Sequence, residues 1–122
     1  MEKRKIKILL VEDSLEVVEL FRGFLAEDVC LISATSAEEA REILAKEYKE
    51  LDFIFVDALL PPDGLISSLQ LVHDWRGDCR AIIVAISGSM EYALMLCSIG
   101  CHRWLEKDSD IGERVNNIIN ES

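Results

Sequence analysis

Short apolar runs alternate with stretches of helical periodicity along the whole chain, and this alternation limits the fold more than any other feature. Ile6–Val11 reads as a buried first strand and Val29–Ala34 as a second. Phe53–Val56 and Ala81–Ile86 are apolar at every position, which predicts strands covered on both faces. Arg103–Glu106 fits a short fifth strand. Between them, Val17, Val18, Phe21, Phe24 and Leu25 recur at helical spacing from Ser14 to about Glu27. Ser36 with Glu39 makes a capping-box pattern before the inner stripe Ala40, Ile43 and Leu44. A third helix is predicted near Ile66 to Trp75, with Leu69 and Val72 inward, and a fourth from Ser89 to Ile99, stopped by Gly100. Ile111, Val115, Ile118 and Ile119 give the last helix its apolar stripe. Strand then helix, repeated with right-handed crossovers, predicts an α/β doubly wound five-stranded parallel sheet. No linker or repeat interrupts it, so residues 1–122 are read as one domain.

A chain of 122 residues, half of them hydrophobic, can bury a core without disulfides. Cys30, Cys79, Cys97 and Cys101 form no C-x-x-C pair and read as reduced, small hydrophobes. Cys97, Cys101 and His102 suggest metal ligands only weakly, because no second cluster completes a site. Net charge is −10, which disfavours direct contact with nucleic-acid phosphates. Met1 to Lys5 is briefly basic, but the apolar run behind it ends at Glu12-Asp13, too short for an export segment. Nothing approaches a membrane span, and a cytoplasmic location is expected.

In open parallel sheets, sites form at the carboxyl ends of the strands. Here the first strand ends in Glu12-Asp13, the third in Asp57 and the fourth in Ser87, and the fifth runs into Lys107. Taken singly, these residues read as a solvated strand end, a loop hydroxyl and a surface charge; Asp57, directly after Phe53-Ile54-Phe55-Val56, is the hardest to read that way. Together they put three carboxylates, a hydroxyl and an amine on one edge.

This order of pieces resembles the receiver domains of response regulators. The matching segments are Leu9-Leu10-Val11-Glu12-Asp13-Ser14, Phe55-Val56-Asp57 with Pro61, Ile86-Ser87-Gly88, and Gly100 through Trp104-Leu105-Glu106-Lys107. The resemblance covers essentially the whole chain and implies a flavodoxin-like (βα)5 fold with strand order 2-1-3-4-5. It also fits the charges. Two carboxylates ~4 Å apart repel by about 4 kcal/mol at an effective dielectric of 20, and a divalent ion such as Mg²⁺ relieves this.

The resemblance implies the roles. Asp57 takes a phosphoryl group from a sensor histidine kinase or a phosphotransfer protein. Asp13 and Asp57 are direct magnesium ligands, Glu12 acts partly through water, and the Leu59 carbonyl is a further ligand. Lys107 pairs with the phosphoryl oxygens, the Ser87 hydroxyl donates to one of them, and Trp104 is the switch aromatic that alters the surface of the fourth helix and fifth strand for a downstream protein target. Leu94 and Met95, expected to face water, read either as a homodimer or docking patch on the fourth helix or as scattered surface hydrophobes. No enzymatic activity is expected beyond the chain's own phosphorylation and dephosphorylation. No output domain is expected after the fifth helix.

Three departures from the family pattern stand out. The segment Leu60-Pro61-Pro62-Asp63-Gly64 is one residue short, Asp108 follows Lys107 in place of the usual proline, and Gly88 follows Ser87. They favour, as a competitor, a receiver that binds partners without phosphorylation. A magnesium-dependent phosphatase or nuclease would want a second acid two residues after Asp57, where Leu59 stands. A nucleotide binder would want a glycine-rich first loop, and Glu12-Asp13-Ser14 has the wrong charge.

Overall fold

The structure, a computed structural model, describes residues 5–121; the basic segment Met1 to Arg4 lies outside the described residues. Ten elements alternate: β1 (Ile6–Val11), α1 (Leu15–Phe24), β2 (Val29–Ala34), α2 (Ala37–Glu47), β3 (Phe53–Asp57), α3 (Leu65–Trp75), β4 (Ile82–Ser87), α4 (Met90–Ile99), β5 (Arg103–Glu106) and α5 (Ile111–Glu121). All strand pairs are parallel and their order is β2-β1-β3-β4-β5, as expected. None of the described helices is long and apolar enough to cross a membrane.

Strand alternation divides the core in two. Leu9, Val11, Ile54, Val56, Ile83 and Ala85 face α2, α3 and α4. Ile8, Leu10, Phe53, Phe55, Val84 and Ile86 face α1 and α5. On that second side Phe21 of α1 meets Phe55 edge to face, with ring centroids 5.4 Å apart. β3 is buried at all five positions, which is why its sequence is uninterrupted by polar residues until Asp57.

Helix α1 stops at Phe24, sooner than the expected Glu27. Leu25 is already extended, at φ −81° and ψ 143°. Phe24 turns onto α5 at Gly112, where the side chain of any other residue would overlap its ring, and Asn116 donates from Nδ2 to the Phe24 carbonyl. The start of α2 also differs in detail. Ser36 Oγ accepts from Glu39 N as expected, but the Glu39 carboxylate accepts from Thr35 N rather than from Ser36 N. Gly100 caps α4, its N–H donating to the Leu96 carbonyl, and a Cβ there would lie 2.9 Å from the Arg76 side chain, so the position favours glycine.

The cysteines behave as small hydrophobes. Cys101 is buried, the other three are half-buried, and all are free. Burial pushes the Cys101 thiol up to about 12, so it is unreactive at neutral pH. Cys97, Cys101 and His102 do not converge on a ligand site; among the described residues the one such group of acids, histidines or cysteines lies elsewhere.

Replacing Gly112 by alanine tests the α1–α5 contact. Helix propensity alone would favour alanine by about 1 kcal/mol. Overlap with Phe24 reverses the sign, and a net loss of about 1–2 kcal/mol is expected from urea unfolding. In a Phe24→Ala background the loss should disappear.

Candidate functional site

Register brings the acids together. Val11 is paired with Val56, so the next residues, Glu12 and Asp57, stand side by side at the carboxyl ends of neighbouring strands. Both valines face α2–α4, so alternation turns both acids toward the other face of the sheet. Leu105 faces that same side, and Lys107, two residues on, follows it. The Lys107 main chain is held there by its N–H, which donates to the Ser87 carbonyl at 3.0 Å.

The resulting geometry is a cluster of one amine and three carboxylates. Lys107 Nζ lies 2.7 Å from Glu12 Oε1 and 3.3 Å from Asp57 Oδ2. One carboxylate oxygen from each of Glu12, Asp13 and Asp57 lies within 4.8 Å of the others. Asp13 is exposed, Asp57 is buried, and Glu12 is 0% exposed. Glu12 Oε1 also accepts from the Ser14 N–H at 3.3 Å, but Glu12 Oε2 is buried without a hydrogen-bond partner.

An orphaned buried carboxylate oxygen beside two further acids is the donor set a hard divalent cation takes. The residues present therefore fit Mg²⁺. Lys107 supplies a single positive charge to the cluster. Burial drives the Glu12 carboxyl up to about 7; Lys107 opposes this and the charge of Asp57 adds to it. Burial opposes the charge on Lys107, yet its contacts with Glu12 and Asp57 leave its pKa above the ordinary lysine value.

Ser87 and Trp104 sit on the α4 side. Ser87 follows Ala85 by two residues, and Ala85 is paired with Trp104. The Ser87 hydroxyl accepts from Ser89 N at 2.9 Å, which leaves its own proton free to be donated. Ser89 caps α4 by accepting from Tyr92 N, so the hydroxyl is tied to the start of that helix. Trp104 is half-buried against the α2–α4 core.

Two of the three departures from the family pattern have a structural answer. The short segment after Asp57 is closed by an antiparallel bridge between Leu60 and Gly64, with a cis bond between Pro61 and Pro62. Gly64 has φ +64°, which favours glycine at that position. Asp108 does not crowd the cluster. Its carboxylate accepts from Asp110 N at 2.9 Å and pairs with Arg114 at 2.8 Å, fixing the turn into α5. At Gly88 a Cβ would meet nothing within 4 Å, so packing makes no demand for glycine there.

Two residues escaped the sequence reading. Ser67 and Ser68, in the first turn of α3, are buried and bonded to the Asp57–Gly64 segment. Their signal was polar residues facing inward, beside the 58% exposed Ile66. Leu94 and Met95 are exposed as expected, at 51% and 41%, and Met90 joins them at 62%.

No family model matches the chain. In sequence it is similar to the transcriptional regulatory protein DcuR of Escherichia coli K12, at 26% identity over 97 residues, 77% of this chain and 40% of that protein. It is also similar to protein-glutamate methylesterase/protein-glutamine glutaminase 2 of Paramagnetospirillum magneticum, at 38% identity over 87 residues, 68% of this chain and 24% of the other. The chain thus spans less than half the length of these curated relatives. In structure it is similar to a two-component response regulator from Clostridium difficile, with TM-score 0.80, 19% identity and coverage of 95% and 94% of the two chains. The BeF3-activated N-terminal receiver domain of Klebsiella pneumoniae RstA gives 0.77, 23% identity and coverage of 93% and 96%.

The raised Glu12 value sets a pH dependence. Between about 4.5 and about 7 the folded chain keeps a proton on Glu12 that the unfolded chain releases. Metal-free stability therefore falls as pH rises through this window, by at most ~1.4 kcal/mol per pH unit from this group. Lys107, with its raised pKa, keeps its charge throughout. Urea unfolding of wild type and Glu12→Gln across the window should show wild type losing ground to the variant as pH rises. A constant difference would contradict the burial of Glu12.

The strand order, the two faces of helices and these likenesses together give the chain the fold of the response-regulator receiver domains.

Proposed function

We propose that this chain is the phosphoacceptor of a two-component signalling system and is phosphorylated on Asp57. The observation that carries the reading is the convergence of Glu12, Asp13 and Asp57 within 4.8 Å, with Lys107 touching both buried acids.

The donor is a phosphohistidine on a sensor histidine kinase or a phosphotransfer protein. An Asp57 carboxylate oxygen attacks phosphorus, the phosphorus–nitrogen bond breaks, and the imidazole leaves with its electron pair and takes up a proton. The product is an acyl phosphate. Asp13 and Asp57 would hold Mg²⁺ directly, with the Leu59 carbonyl as a further ligand and Glu12 acting partly through water. When bound, the ion neutralises charge on the carboxylates and the incoming phosphoryl oxygens. Lys107 is near enough to Asp57 to pair with a phosphoryl oxygen, and its second contact, to Glu12, keeps the amine in place beforehand.

Ser87 carries the event outward. When its hydroxyl donates to a phosphoryl oxygen, the Ser89 N–H that it now accepts from is disturbed at the cap of α4. Trp104, on the same side of the sheet, then repacks, and the α4–β5–α5 surface changes for a downstream protein. Met90, Leu94 and Met95 supply an apolar face there, suited to a protein target or a second copy of the chain. The strongly acidic surface disfavours direct nucleic-acid contact, and a cytoplasmic location fits a kinase-fed switch. No catalysis is assigned beyond the chain's own phosphorylation and dephosphorylation.

Incubation with acetyl phosphate and Mg²⁺, followed by intact-mass measurement, tests the reading. One added phosphate is expected, lost in Asp57→Asn and lost with chelator. No label on wild type would overturn phosphorylation and leave a receiver that works by binding alone.

A further inference from the structure

The first turn of α3 is inverted relative to an ordinary surface helix. Ile66 is 58% exposed, whereas Ser67 and Ser68 are 5% and 0% exposed. Serine is a middling helix former, and burying its hydroxyl is unfavourable unless the hydroxyl finds a partner. Both find one in the segment after the phosphoacceptor. Ser67 Oγ accepts from Asp63 N at 2.9 Å. Ser68 Oγ donates to the main-chain carbonyl of Asp57 at 2.7 Å, with a longer approach to the Gly64 carbonyl at 3.5 Å.

These bonds fall at both ends of one short loop. At its far end Gly64 N donates to the Leu60 carbonyl at 2.7 Å, and Leu60 N donates back to Gly64 at 3.3 Å. At its near end Ala58 N donates to the Ile86 carbonyl at 2.9 Å, and Leu59 N approaches the Asp57 carboxylate at 3.4 Å. Leu59 therefore lies between a sheet anchor and a closed bridge, and the Ser68 hydroxyl holds the peptide group from which the loop departs.

We propose that Ser68 is a positioning residue for the phosphoacceptor, its buried hydroxyl fixing the main chain at Asp57 and with it the direction of the Leu59 carbonyl. The proposal rests on the reading of Asp57 as acceptor.

Ser68→Thr and Ser68→Val have the same shape and differ in the hydroxyl. Two quantities should be measured on each folded variant: the Mg²⁺ dissociation constant, from amide NMR shifts of residues 57–60, and the rate of phosphate uptake from acetyl phosphate at saturating Mg²⁺. Ser68→Val is expected to bind Mg²⁺ several-fold more weakly than Ser68→Thr and to react about tenfold more slowly, the scale of one lost hydrogen bond. Equal values for the two variants, with stability alone reduced, would overturn the proposal. Ser68→Ala adds no volume and repeats the test should the larger pair pack poorly; wild-type values for it would likewise overturn the proposal. If wild type takes up no phosphate, the proposed function fails separately, and the metal titration decides the role of Ser68 by the same comparison.

Discussion

Everything at the carboxyl edge of this sheet depends on one amine shared between two buried carboxylates. Lys107 reaches Glu12 and Asp57 across the ends of β1 and β3. Without it two like charges would face each other in a poorly solvated place, a repulsion of about 4 kcal/mol at ~4 Å and an effective dielectric of 20. Domains of this size are stable by only about 5–15 kcal/mol, so the arrangement is a considerable burden. Lys107 relieves it in part. Glu12 Oε2 still has no partner, and Asp13 adds a third acid at the rim. A stable fold alone gives no reason to keep such an edge; the proposed capture of a cation and a phosphoryl group does.

The surrounding elements hold this edge by main-chain bonds, each from a different direction. Ser87 receives the Lys107 N–H, Asp108 and Arg114 fix the turn that follows Lys107, and α3 grips the segment after Asp57. The charged side chains thus project from tethered backbone, as preorganised stabilisation of the proposed phosphoryl group would require. The proposed readout lies across the sheet, where the Ser87 hydroxyl touches the cap of α4 and Trp104 is half-buried.

Most of this edge was legible in the sequence because parallel strands write their burial as unbroken apolar runs and end abruptly at the polar rim. Phe53–Val56 announced Asp57 in that way. The ranking of the acids was less legible. Glu12 taken alone read as a solvated strand end, yet it is fully buried, because register sets it beside Asp57 and under Lys107, and no local pattern encodes register. The early end of α1 escaped for a similar reason. Phe24 continues the helical stripe, but its true partner is Gly112, far along the chain. Ser67 and Ser68 escaped because hydroxyls are judged by partners, and theirs are main-chain groups of a preceding loop. Asp108 stood out in the sequence only as a departure from the usual proline; the turn into α5 shows that Arg114 pairs with it.

The most direct test of the cation site uses Mn²⁺ as a paramagnetic stand-in for Mg²⁺, both being hard ions suited to oxygen ligands. At substoichiometric Mn²⁺, amide signals of residues 12–14, 57–59 and 107 should broaden first, together with Ser87, while those at the opposite edge of the sheet stay sharp. Replacing Asp57 by Asn should abolish the pattern. Diffuse broadening spread over the acidic helices, as expected for loose ions around a chain of net charge −10, would contradict a single built site.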